Sequence, residues 1–151
     1  MHITIDGRAL VGNRTGIGVH TAEIARRLSD APLIASHAEI DDRSGLEHCS
    51  FRVDRMPFGV AWQQLVLPRI AFEGVLWGPH GTLPLALRIP SVATLHDFSS
   101  LTMPFRHRAK TVLSFNVFIG RSLQMATRIA AVSRAVAEEA KIGRASCRER
   151  V

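Results

Sequence analysis

The chain has 151 residues, 46% of them hydrophobic and 21% charged, and a formal net charge of +6. That length supports one domain with a sizeable core, and the balance is that of an ordinary globular protein. No apolar run reaches the roughly 18 residues of a spanning helix, and the two cysteines, Cys49 and Cys147, have neither zinc-site spacing nor a disulfide framework. The opening MHITIDGRAL lacks a basic segment followed by an apolar stretch, so it reads as a strand and not as a signal peptide. A cytoplasmic location, extending to the inner face of the membrane, is the expectation.

His2–Asp6 alternates and is β-rich, which predicts a first strand. The glycine-bearing stretch GRALVGNRTGIG follows as a loop. Val19–Leu28 carries Ala22, Ile24, Ala25 and Leu28 at helical spacing, and Ser29-Asp30-Ala31-Pro32 stops that helix. Leu33–Ser36 reads as a short second strand, residues 38–50 as a loop or short helix, and Ser50–Asp54 as a third strand. Val60–Phe72 is helical in pattern, with Pro68 ending or kinking it. Val75–Trp77 is a short buried strand, followed by the Gly- and Pro-rich loop GPHGTLPLALRIP. Ser91–His96 is the strongest strand. Arg106–Met125 reads as a long helix, Arg128–Val132 as a strand, and Ser133 as the cap of a helix over SRAVAEEA. The alternation predicts an α/β fold, a Rossmann-like parallel sheet flanked by helices.

The tail changes the meaning of the charge. Lys141, Arg144, Arg148 and Arg150 stand against Glu149, so the last eleven residues hold +3 of the +6. IGRASCRERV has no apolar face and resembles a translated sequencing adapter. The expected division is a domain over 1–140, truncated at its end, and a non-native tail over 141–151. A nucleic-acid partner loses its main support once that charge is set aside. Arg106, His107, Arg108 and Lys110 read as a solvated helix start.

Three constellations could carry chemistry. Between the first strand and first helix, Gly16 and Gly18 sit in GNRTGIG, where backbone amides and a helix N-terminus can meet an anion. The dinucleotide fingerprint fails there, because its third glycine is absent and no acidic residue ends the second strand. At the end of the best strand, His96 faces the crevice and Asp97 can orient it. In the loop after Trp77, Gly78 and Gly81 flank His80. His20, on the first turn of the first helix, reads equally as helix surface or site wall. His2, His37, His48 and His107 read as plain surface or strand residues, and no set of residues has metal-ligand spacing.

IDGRAL, TGIGVHTAEIARRL, WQQLVLPRI, VLWGPHGTLPL, SVATLHDFSSLTMP and RIAAVSRAVAEE together resemble the N-terminal domain of family 4 glycosyltransferases, over about residues 2–140. The nearest likeness is to mannosyltransferase-like members that build cell-surface polysaccharides. The resemblance implies the N-terminal, acceptor-side half of a GT-B fold and a retaining, metal-independent sugar transfer with no bound cofactor. It implies a nucleotide-sugar donor and a glycan or lipid-linked acceptor, the C-terminal domain as missing partner, and room for peripheral membrane contact.

On this resemblance Gly16 and Gly18 lie beside the donor phosphates, and Ser133 marks the last strand end facing the cleft. His96 contacts the transferred sugar with Asp97 in support, while His80, Gly81 and His20 line the acceptor side. The fragment alone is expected to be inactive. The alternative is a stand-alone Rossmann-like nucleotide-binding module without transfer chemistry. A third reading is an interaction domain that uses a basic face.

Overall fold

A computed structural model of the chain describes residues 2–96 and 118–138. Six strands form one sheet: β1 (Ile3–Asp6), β2 (Leu33–Ser36), β3 (Ser50–Val53), β4 (Val75–Gly78), β5 (Ser91–Leu95) and β6 (Arg128–Ala131). Their order across the sheet is β3-β2-β1-β4-β5-β6, and every neighbouring pair is parallel. This is the doubly wound, Rossmann-like arrangement expected from the alternation. The chain starts in the middle, winds outward to β3, and returns to the centre at β4.

The four inner strands, β1, β2, β4 and β5, are buried on both sides and read as short apolar runs, whereas the edge strands β3 and β6 alternate exposed and half-buried residues. On one face Ile5, Ile34, Trp77 and Val92 pack with Ala22 and Ala25 of α1 (Gly16–Ala25). On the other, Ala35, Leu76 and Ala93 pack with Trp62 of α2 (Gly59–Leu65) and with Leu67 and Ile70 of α3 (Leu67–Ile70). Each fully buried Leu or Ile contributes about 1.5–3 kcal/mol. Residues 118–125 are helical and place Ile119 against Leu95, while Ser122 Oγ accepts a hydrogen bond from Leu83 N.

Most element boundaries agree with the sequence pattern, and the differences have local causes. α1 begins at Gly16, three residues before the expected Val19, because Thr15 already adopts the extended backbone of a cap, and it ends at Ala25, three residues before the expected Leu28. The Val60–Phe72 stretch breaks at Val66 into two short helices, with Pro68 in the first turn of the second. Residues 38–49 form no helix; turns close there, such as Leu46 N donating to Arg43 O. Ser133 does cap: Val136 N donates to its Oγ at 3.2 Å, and residues 134–138 are helical. The basic cluster at 106–110, Asp97 and the tail at 141–151 lie outside the described residues.

Candidate functional site

Because all strands run the same way, their carboxyl ends share one edge. β1 and β4 are adjacent there, and the chain leaves them in opposite directions, toward β2 and toward β5. Crevices of this kind, at the switch point of a doubly wound sheet, are where such folds bind ligands.

The floor of the crevice is polar and tightly bonded. Asp6 closes β1, is fully buried, and caps the 3₁₀ turn Gly7–Leu10 by accepting from Arg8 N. Its carboxylate also accepts from Arg8 Nε at 2.9 Å and from Arg8 Nη2 at 2.8 Å. Gln63 Nε2, from α2, donates to Asp6 Oδ2 at 2.9 Å and to Thr82 O at 2.8 Å. Arg8 Nη2 also reaches Thr82 Oγ1. Burial alone would raise the Asp6 carboxyl, but the charge and hydrogen bonds of Arg8, with help from His80, hold it below the ordinary carboxylate value. The neighbouring Gln64 bonds Leu83 O and Leu85 N, so the two glutamines tie α2 to the loop after β4.

That loop presents His80. Gly81 N donates to Gly78 O at 3.2 Å, closing a turn with Pro79 at its second position. Gly81 has φ of +76°, and a Cβ there would press on Thr94 O and on Ile119 and Leu95. The loop is therefore fixed, not a loose surface turn. Burial pushes the His80 imidazole down to about 4, Arg8 and His96 add to the effect, and Asp6 opposes it. His80 is neutral at physiological pH.

The wall is aromatic. His96 Nε2 donates to Pro79 O at 3.0 Å, which fixes the proton on that nitrogen. The His20 ring stands edge-on to His96, with centroids 5.0 Å apart, and edge-on to Trp77 at 6.4 Å. Trp77 Nε1 donates to Thr94 Oγ1 at 2.8 Å. His20 and Trp77 also border an apolar groove of about 350 Å³, walled further by Ile24, Leu28, Val92 and Val132.

The structure thus gathers His20, His80, Gly81 and His96 in one crevice. The two α1 glycines divide in role. A Cβ at Gly16 would meet only open space, and the first amides of α1 have neither intrahelical partners nor a side-chain cap. A Cβ at Gly18 would lie 2.4 Å from Ala9 O, so this glycine lets α1 pack onto the turn after β1. Ser133 spends its hydroxyl on capping. Asp97 lies outside the described residues.

Sequence reasoning missed the Asp6–Arg8–Gln63–Thr82 network and His37. An Asp-x-Arg closing a strand and a glutamine pair in an otherwise apolar helix were the available signals. His37 follows β2 and faces the same network. Burial and then Arg8 lower its pKa, against Asp6.

Among the described residues no group of three or more His, Cys, Asp or Glu could hold a metal ion, and no helix is long and apolar enough to cross a membrane. The fold is that of a Rossmann-like α/β protein, with a cluster of hydrogen-bonded polar side chains at its switch point. Comparison of the chain with protein-family models, with curated proteins and with solved structures finds no match.

Proposed function

We propose that the chain supplies the acceptor-side domain of a retaining glycosyltransferase of GT-B type, with the crevice at the carboxyl ends of β1, β4 and β5 as its half of the cleft. One observation carries this reading. The segments IDGRAL, TGIGVH, GPHG and LHD, distant in the chain, bring Asp6, Arg8, His20, His80 and His96 to one crevice. These are the same segments on which the resemblance to family 4 rests.

The chemistry is compatible with the groups present. A sugar offers hydroxyls, and neutral imidazoles such as His80 bind hydroxyls without a charge penalty. A departing diphosphate needs positive dipoles, which the uncapped amides at Gly16 supply. A front-side transfer needs no protein nucleophile. A partner domain would provide most of the nucleotide site. A nucleotide-sugar donor, a glycan or lipid-linked acceptor, metal independence and peripheral membrane contact belong to the same proposal.

The test is a titration of the 151-residue chain with nucleotide sugars and candidate acceptor glycans, followed by histidine-ring NMR and a product assay. The expected result is saturable shifts at His20 and His96 with no transfer. Turnover by the chain alone would overturn the half-cleft reading. Undisturbed His20 and His96 signals with every sugar would overturn the assignment of the crevice.

A further inference from the structure

We propose that Arg8, His37 and His80 form a seat for an oxyanion, the phosphate, sulfate or carboxylate group of a small ligand, at the carboxyl ends of β1, β2 and β4. The inference does not depend on sugar transfer.

Strand order sets the geometry. β1 lies between β2 and β4, so Arg8 stands between His37, just after β2, and His80, just after β4. Arg8 is an anchored donor. Asp6 takes Nε and Nη2, Thr82 shares Nη2, and among the described residues nothing bonds Nη1. Its side chain is only 10% exposed, so the guanidinium is not a free surface charge. A planar guanidinium held in this way presents its remaining donors in a fixed direction.

The two imidazoles are incomplete. The Nδ1 atoms of His37 and His80 are both buried and lack a hydrogen-bond partner. A buried polar atom without a partner costs free energy, and a ligand atom is one way to recover it. Gly59 keeps the gap on the His37 side open. A Cβ there would sit 3.2 Å from His37 Cε1 and 3.4 Å from Arg8 Cδ.

Charge balance then predicts a proton. Asp6 already neutralises Arg8, so an anion entering the seat would be uncompensated in a poorly solvated place. The groups facing His80 are Asp6, Arg8 and His96; those facing His37 are Asp6 and Arg8. Protonation of either imidazole supplies the missing charge and turns its Nδ1 into a donor. Anion binding and proton uptake are therefore linked, and affinity rises as pH falls.

The experiment uses the 151-residue chain and three probes: sulfate, a nucleoside diphosphate and a sugar phosphomonoester. Sulfate keeps its charge across pH 6–8, so any pH dependence with it belongs to the protein. Histidine-ring nitrogen signals are followed by NMR. The expected result is saturable movement of His37 and His80, little movement of His2 and His48, and sulfate affinity rising toward about tenfold per pH unit for one proton taken up.

Arg8→Lys should weaken sulfate binding about tenfold or more. Because that variant leaves Asp6 less well paired, His37→Asn and His80→Asn serve as independent variants, each weakening sulfate binding in a folded chain; only the double variant flattens the pH dependence, since either imidazole can take up the proton. Tighter binding of the diphosphate would give the seat to a donor nucleotide; tighter binding of the monoester would give it to an acceptor phosphate. Non-saturable shifts, equal movement of His2 and His48, or a sulfate affinity indifferent to pH would each overturn the proposal.

Discussion

His20, on the first helix, and His96, at the end of the fifth strand, stand edge to face with ring centroids 5.0 Å apart. Neither element touches the other in sequence, and the pair exists only because β1, β4 and β5 are neighbours in the sheet. The contact joins the helix that starts at Gly16 to the loop that carries His80, since His96 also bonds Pro79 O. A ligand that moves one of these rings must disturb the other.

The first prediction concerns the two α1 glycines. Gly18→Ala forces a methyl against Ala9 O and should destabilise the fold by about 1–3 kcal/mol. Gly16→Ala enters open space and should be neutral or stabilising by up to about 1 kcal/mol, through helix propensity. Urea denaturation of the two variants measures the contrast. Equal effects would show that α1 does not press on the turn after β1.

The second concerns pH. The folded His80 pKa, about 4, lies below its unfolded value of 6.5. The unfolded chain therefore binds more protons between those values, and stability contributed by neutral His80 is full above about pH 6.5 and is lost as pH falls toward 4. His37 acts in the same direction. Asp6, lowered in the fold, loses its contribution only below the ordinary carboxylate range. Unfolding free energy should thus fall between pH 7 and pH 5 in the native chain, and fall less in His80→Asn.

The third concerns the buried ion pair. Removing one partner strands a charge, so Arg8→Met or Asp6→Asn alone should each cost about 3–5 kcal/mol. Replacing both together should cost less than the sum of the two. A double-mutant cycle read by denaturation measures the coupling, and an additive cycle would refute the pair as a unit.

The fourth concerns Trp77. Thr94→Val conserves shape but removes the acceptor of the indole N–H, so it should cost about 1–3 kcal/mol. The accompanying change in Trp77 emission, with Trp62 replaced by Phe to isolate the signal, checks that the indole is the group affected.

The sheet was legible in the sequence because buried parallel strands are short β-branched runs, and HITID, LIAS, VLW and SVATL stand out between glycine and proline. The site was legible in part. His80 and His96 each end a strand or its loop, which is where a parallel sheet gathers its ligand groups. Asp6 was read only as a strand end, because nothing local reveals that Gln63, on a helix assigned to the core, returns to meet it. His37 reads from the sequence as a plain surface or strand residue, because its relation to Arg8 depends on β1 and β2 being neighbours. The start of α1 was placed too late because its first turn is glycine-rich and carries no apolar stripe.

The seam between β1 and β4 has one further consequence, for how the crevice comes to exist. Ile3–Asp6 pairs with Leu33–Ser36 after a short excursion, but with Val75–Gly78 only after a long stretch of chain has returned. Closing such a loop costs entropy that local contacts do not repay, so parallel, non-local pairings form slowly. Arg8 and His80 come from opposite sides of that seam. Of the proposed seat, Arg8 and His37 are brought together by the β1–β2 pairing, whereas His80 joins them only once β4 has paired with β1.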